Sequence, residues 1–470
     1  MHSYFSNPTV INLTRIVLIS TYDLGRQPFG LASPAAWLRA EGHHVATADL
    51  SREPFPADAI TRADWVAFHL PMHTATRMAV PRIEEVRRLN PSARICCYGL
   101  YAPVNEKMLR ALGVTHVIGG EFERALGDVI AGRADSVLPV ILDRLQFQIP
   151  DRTSLPALSE YARLVVGGER KTVGYTEASR GCKHLCRHCP IVPVYEGKFR
   201  VVQREIVLAD ARQQIAAGAR HITFGDPDFF NGPGHATALV EAFSAEFPGV
   251  TYDVTIKIEH LLKHRDLLPV LKRTGCLFIT SAVESFDDQL LARLAKGHTR
   301  AGFAEALELT RAHGLTLVPT FVAFTPWTTR EDYLGLLATI RELDLIESVA
   351  PIQLAIRLLI PAGSKLLDLE DLTVEAFDSA ALSYRWRHPD PEMDRLCADL
   401  QKLVSLGDRL GASRADVFAM IWERAFGSTA DFAASRPPVP HMTEAWYCCA
   451  EPCCDEPCCD EESEDQFAVV

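Results

Sequence analysis

Short apolar runs alternate with amphipathic stretches along most of this chain, and that alternation restricts its fold more than any other feature. In the first 135 residues, 15–20, 44–50, 65–70, 94–100 and 115–118 read as buried strands. Helical patterns lie between them, for example 32–41, 79–89 and 104–112. Strands interleaved with helices predict an α/β fold with a parallel sheet covered on both faces. Residues 13–135 are therefore expected to form a doubly wound, Rossmann-like domain that binds its ligand at the carboxyl ends of the strands. Residues 136–170 contain Pro139, Pro150 and Pro156 and no sustained period, and read as a surface linker.

The alternation resumes with strands expected at 172–178, 221–226, 251–258, 277–283, 315–324 and 352–360. Helices are expected between them at 204–217, 236–247, 261–273, 301–313 and 330–343. Six such repeats predict an open, partial (β/α)6 barrel over residues 171–370, with its chemistry on loops at the strands' carboxyl ends. Residues 371–436 read as a helical segment, with Leu396, Leu400, Leu403 and Leu410 sharing one face. The remainder, 437–470, is a cysteine-paired tail, whose last 23 residues are acidic and expected to be disordered without a ligand.

The net charge of −12 is concentrated in that tail. Residues 451–465 hold eight carboxylates and no Lys or Arg, so the rest of the chain is close to neutral. Without a basic excess, nucleic acid is not an expected partner. No run approaches the ~18 apolar residues of a membrane span, and residues 1–12 lack the pattern of a secretory signal. The expected compartment is the cytoplasm, where the 13 cysteines stay reduced and read as ligands or nucleophiles rather than as disulfides.

Three of them form the densest motif. The loop after the first barrel strand runs Arg180-Gly181-Cys182-Lys183-His184-Leu185-Cys186-Arg187-His188-Cys189-Pro190. Three thiolates can hold three irons of a four-iron cubane and leave the fourth open to a substrate. A tetrahedral zinc site completed by His184 or His188 is the alternative.

Cys-x3-Cys-x2-Cys after the first strand of a partial barrel resembles the radical S-adenosylmethionine (SAM) superfamily. The resemblance implies a [4Fe–4S] cluster on Cys182, Cys186 and Cys189, whose open iron chelates SAM. Reductive cleavage of SAM then gives a 5′-deoxyadenosyl radical, with electrons from a flavodoxin- or ferredoxin-type donor. Later motifs extend the match. Phe224-Gly225-Asp226-Pro227-Asp228 ends the second strand, and Ala282-Val283-Glu284-Ser285 ends the fourth, with alanine where the family has glycine. By this resemblance Asp226, Asp228, Glu284 and Ser285 contact SAM. Arg357, a charge in an apolar sixth strand, needs either a ligand carboxylate or a neighbouring acid.

A doubly wound domain ahead of such a barrel resembles the cobalamin-binding class of the superfamily. Gly25 and Gly30 in the first loop, and Gly119, Gly120 and Glu121 after the fifth strand, are the implied corrin contacts. The class's Asp-x-His-x-x-Gly string is missing from residues 1–150. The front domain is therefore expected either to bind cobalamin without that histidine or to have kept the fold without the cofactor. With cobalamin, methylation or rearrangement of an unidentified small molecule or peptide is expected.

The tail thiols Cys448, Cys449, Cys453, Cys454, Cys458 and Cys459 recur as pairs every five residues. Their Cys-Cys-Ala-Glu-Pro string resembles a small radical SAM group named for such a tail. Paired thiols suit a thiophilic ion. Two other readings stand beside the enzyme: a non-catalytic soft-metal-handling protein, and a tRNA methylthiotransferase. The latter requires a second three-cysteine set in the front domain, where only Cys96 and Cys97 occur.

Overall fold

The computed structural model describes residues 13–134, 137–430, 432, 438–444 and 450–451. The front sheet consists of β1 (Arg15–Ser20), β2 (His44–Asp49), β3 (Trp65–His69), β4 (Arg94–Tyr98), β5 (His116–Gly120) and β6 (Val140–Ile141). Their order is β2-β1-β3-β4-β5-β6, and every pairing is parallel. Helices Phe29–Ala40 and Phe122–Ile130 pack Leu31, Leu38, Leu126 and Val129 against Ile16 and Leu18 on one face. Helix His73–Leu89 packs Ala79, Ile83 and Val86 against Val17 and Val66 on the other. Chain direction across the sheet reverses between β1 and β3, where doubly wound sheets open a crevice.

The barrel starts with a hairpin, β7 (Arg163–Val166) and β8 (Glu169–Thr176), followed by a small pair, β9 (Ser179–Gly181) and β10 (Phe199–Val201). Strands β11 (His221–Phe224), β12 (Thr251–Thr255), β13 (Cys276–Glu284) and β14 (Thr316–Phe321) join β8 in parallel. Helices such as Arg204–Ala216, Arg300–Ala312 and Arg330–Glu342 cover the outside. Phe224, Val254, Ile279, Leu317 and Leu337 belong to one continuous core.

Several expectations are corrected. The stretch 136–170 is not a surface linker: Val140–Ile141 extends the front sheet, and Leu145, Phe147, Leu158 and Tyr161 are buried. Arg152 in that stretch is also buried, paired with Asp210 at 2.7 Å and bonded to Gln27, so it ties barrel to front sheet. The sixth barrel strand shrinks to β15 (Arg357–Leu358), because Pro351 opens a 3-10 turn and Pro361 follows closely. The expected helix at 261–273 breaks at Pro269 into Ile258–Lys263 and Leu268–Arg273. Residues 371–436 include a hairpin, β16 (Phe377–Asp378) with β17 (Ser383–Tyr384), before helices Pro391–Arg409 and Arg414–Phe426. Leu396 and Leu400 are buried as expected, whereas Leu410 falls beyond its helix and is 72% exposed.

The tail also departs from expectation where it is described. β18 (His441–Met442) pairs with β7, and β19 (Ala450–Glu451) pairs with β15, both antiparallel. These strands lie at opposite margins of the open barrel, since β15 adjoins the chain after β14 through the Phe324–Arg357 bridge. The six tail cysteines lie outside the described residues. Among the described residues, no helix is long and apolar enough to cross a membrane.

Candidate active site

One large cavity opens between the carboxyl ends of both sheets. Its volume of about 350 Å³ lies within the ~300–1,000 Å³ range of small-molecule and cofactor sites. Cys182, Cys186 and Cys189 line it from the barrel, and His69, Gly99 and Gly120 line it from the front sheet.

The cysteine loop is fixed from several sides. Gly181 has φ +75°, and a Cβ there would lie 2.3 Å from the Tyr195 ring, so only glycine fits. Asn231 accepts from Lys183 N at 3.0 Å and donates to Gly181 O at 3.3 Å. Lys257 Nζ lies 3.6 Å from Cys186 Sγ, a buried positive charge beside one of the three sulfurs. Burial, reinforced by Asp228, pushes the Cys182 thiol up to about 12. A bound cation reverses that preference. Three cysteines on one glycine-hinged loop with a lysine beside them suit a cluster of net negative charge.

The acidic candidates separate into distinct settings. Glu284 is buried at the end of β13, with φ +71°, 3.1 Å from His188 Nε2 and 3.2 Å from Lys296 Nζ. Burial alone would raise its pKa, but Lys296 and His188 hold it at about 2, so it is ionised. Asp226 lines the cavity, accepting from Ala178 N at 3.0 Å and Ser179 Oγ at 2.5 Å. Burial pushes it up to about 7 against those hydrogen bonds. Asp228 instead faces His184 at 3.4 Å and His260 at 2.7 Å, which hold it at about 2 despite burial. Asp228, His184 and Cys182 bring potential ligand atoms within 4.8 Å of one another, so Asp228 lies beside the first cysteine of the loop. Ser285 turns away from the cavity, where its Oγ accepts from Asp287 N at 3.0 Å. Arg357 is likewise outside the cavity. It pairs with Asp394 at 2.6 Å and stacks on Trp386 at 3.6 Å, so the neighbouring acid satisfies it.

The front-sheet candidates divide similarly. Gly120 (φ +75°) lines the cavity, and a Cβ there would lie 2.1 Å from Ile141 O. That close approach to the neighbouring strand requires glycine there. Gly119 packs against Pro103, and Gly30 against His69. Gly25 (φ +64°) backs onto Glu444, which bonds to Tyr22 and lines the cavity from the tail. Glu121 is fully buried, accepting from Tyr195 at 3.1 Å and lying 3.5 Å from Arg180, so it serves the join between the sheets. Arg180 also reaches Glu123 and Glu177, among the rings of Phe29, Phe122 and Phe147. Lys257, His260, Tyr195 and His69 had no motif to mark them. Their signal is a buried polar side chain near a strand end, visible only once the strands are placed.

The radical SAM superfamily model matches residues 176–339, which span the cysteine loop and Glu284. That segment is a radical SAM domain. A hopanoid C-3 methylase from Methylococcus capsulatus is 23% identical over 325 residues, covering 64% of this chain and 62% of that protein. A tRNA-2-methylthio-N(6)-dimethylallyladenosine synthase from Geobacter sulfurreducens is 26% identical over 201 residues, covering 39% of this chain and 44% of that protein. This chain thus spans less than two thirds of either relative. In fold, the radical SAM domain and front sheet together resemble the cobalamin-dependent SAM radical enzyme OxsB with aqua-cobalamin bound. That match has a TM-score of 0.62 and 15% identity, covering 85% of this chain and 68% of that one. The radical SAM methyltransferase TsrM from Kitasatospora setae, with cobalamin and a [4Fe–4S] cluster bound, matches at TM-score 0.54 and 16% identity, covering 71% of each chain.

Proposed function

We propose that this protein is a radical SAM enzyme that uses cobalamin to methylate an unidentified small molecule or peptide. The observation that carries this reading is the shared cavity, into which the three cysteines and the strand ends of the front sheet both open. Cys182, Cys186 and Cys189 would hold a [4Fe–4S] cluster, and the backbone around Gly99 and Gly120 would seat a corrin. Bound together, these groups supply the electron that cleaves SAM and a carrier for its methyl group.

The chain's own residues bind and orient. Glu284, kept ionised by Lys296 and His188, is a fixed acceptor for the hydroxyl or ammonium groups of SAM. Asp226 offers a second acceptor on the cavity wall. Lys257 offsets thiolate charge at Cys186. Arg180 ties the cysteine loop to the front sheet, so the two cofactor seats keep a fixed separation.

Methylation is favoured because the relative from M. capsulatus is a methylase and TsrM is a methyltransferase. The methylthiotransferase reading is weaker: Cys96 and Cys97 are the front sheet's cysteines, and both are buried in β4. A reducing compartment, the cytoplasm, and a flavodoxin- or ferredoxin-type donor fit the reading. The tail cysteines are proposed to hold a thiophilic ion or to exchange electrons with the site. Serine at all six should abolish substrate turnover while sparing SAM cleavage; unchanged turnover would refute that role.

The experiment for the main reading is anoxic reconstitution with iron, sulfide and hydroxocobalamin, followed by cofactor analysis and mass spectrometry. Charge-transfer absorbance, retained corrin and 5′-deoxyadenosine are expected, and Cys182→Ala should lose the absorbance and the nucleoside. Zinc in the cysteine loop, with no SAM cleavage, would overturn it in favour of the metal-handling alternative.

A further inference from the structure

His69 ends β3, beside the crevice of the front sheet, and no motif marks it. It lines the shared cavity yet is only 7% exposed. Its Nδ1 is buried without a hydrogen-bond partner.

Its surroundings are shaped around the ring. A Cβ at Gly30 would lie 2.1 Å from the imidazole, and one at Gly99 would lie 3.1 Å from it and 2.9 Å from Leu70 O. The rings of Tyr98 and Phe122 stand 5.4 and 6.1 Å away. Two glycines and two aromatic rings thus leave a slot for one imidazole at the cavity wall. Burial, and then the charge of Arg180, push its pKa down to about 3. The ring stays neutral, the form that ligates a metal. Among the cavity-lining residues of the front sheet, Met72 is the other soft donor.

We infer that His69, rather than a histidine of the missing Asp-x-His-x-x-Gly string, supplies the protein nitrogen to the cobalt of a corrin bound in this cavity. The inference rests on the cobalamin reading above and adds to it the identity of the ligand.

The test uses the full-length protein loaded with cob(II)inamide, a corrin without its own nucleotide base, and reads the electron paramagnetic resonance spectrum. With natural-abundance protein, each resolved cobalt line should split threefold by one axial nitrogen. In protein grown on 15N-histidine, the splitting should become twofold. His69→Gln should retain corrin on gel filtration and lose the splitting. Bound corrin without nitrogen splitting in the wild type, or splitting that survives in His69→Gln, overturns the inference while leaving cobalamin binding intact. No corrin retained by the wild type overturns the cobalamin reading itself, and this assignment with it. The label assigns the nitrogen to a histidine, and loss of the splitting in His69→Gln, or in His69→Asn should the first variant fail to fold, assigns it to His69.

Discussion

Arg180 donates to Glu123 twice, at 2.7 and 3.0 Å, across the boundary between the cysteine loop and the front sheet. Only Gly181 separates Arg180 from Cys182, so the loop that presents the cysteines is held by an acid from the helix Phe122–Ile130 of the front domain. This connects the front sheet to barrel chemistry through one buried side chain.

Removing that cation leaves Glu121 and Glu123 buried without their ion-pair partner, and Glu177 with Arg26 as its remaining nearby cation. Breaking a buried pair in this way costs about 3–5 kcal/mol. Arg180→Ala is expected to lower the urea midpoint accordingly and reduce iron per chain after reconstitution. Wild-type iron content would show that the loop holds its shape without the front sheet.

Glu284 gives an acid-side signature. Its folded pKa of about 2 lies below its ordinary 4.5. It therefore contributes stability above about pH 4.5 and loses it as pH falls toward 2. In Glu284→Gln the destabilisation relative to wild type should be largest, on the order of 3 kcal/mol, near neutrality. It should shrink below pH 4.5 in urea titrations. A gap independent of pH would contradict the ion pair.

Asp226 has the opposite sign. Its folded pKa of about 7 lies above its ordinary 3.8, so its contribution to stability declines as pH rises from about 4 through 7. The stability of Asp226→Asn relative to wild type should improve over that interval, by a few kcal/mol at most. Equal slopes for the two proteins would rule out a protonated Asp226.

Arg357 should prove dispensable for SAM. Its partner Asp394 and its stacking on Trp386 account for its charge, and the pair is partly exposed. Arg357→Ala is expected to cost about 1 kcal/mol or less and to leave SAM affinity, by equilibrium dialysis of reconstituted protein, within about twofold. A tenfold loss would return Arg357 to the site.

The strands were legible because their apolar runs are long and their helices amphipathic. Arg15–Ser20 and the other buried strands of the front sheet appear close to where the alternation placed them. The cysteine motif was legible because ligand spacing is a local property. Interactions between distant segments were not. For Arg357 the choice between a ligand and a neighbouring acid was open in the sequence because Asp394 lies 37 residues away on another element. Glu121 read as a corrin contact because its partner, Arg180, belongs to the other sheet. Residues 136–170 carry too many prolines to show a period, yet Arg152 anchors them through Asp210, a contact invisible to local pattern.

The tail strands β18 and β19 finally bear on how this molecule can be handled. A sheet margin left bare is a template for pairing with another chain. Here the last described residues occupy both margins of the half-open barrel, like a belt buckled across it. Proteolytic clipping near Pro438, or a bulky fusion that drags the terminus outward, should therefore do more than remove an appendage. It would unzip two edges at once, strip Glu444 from the cavity wall, and leave a sticky, aggregating particle.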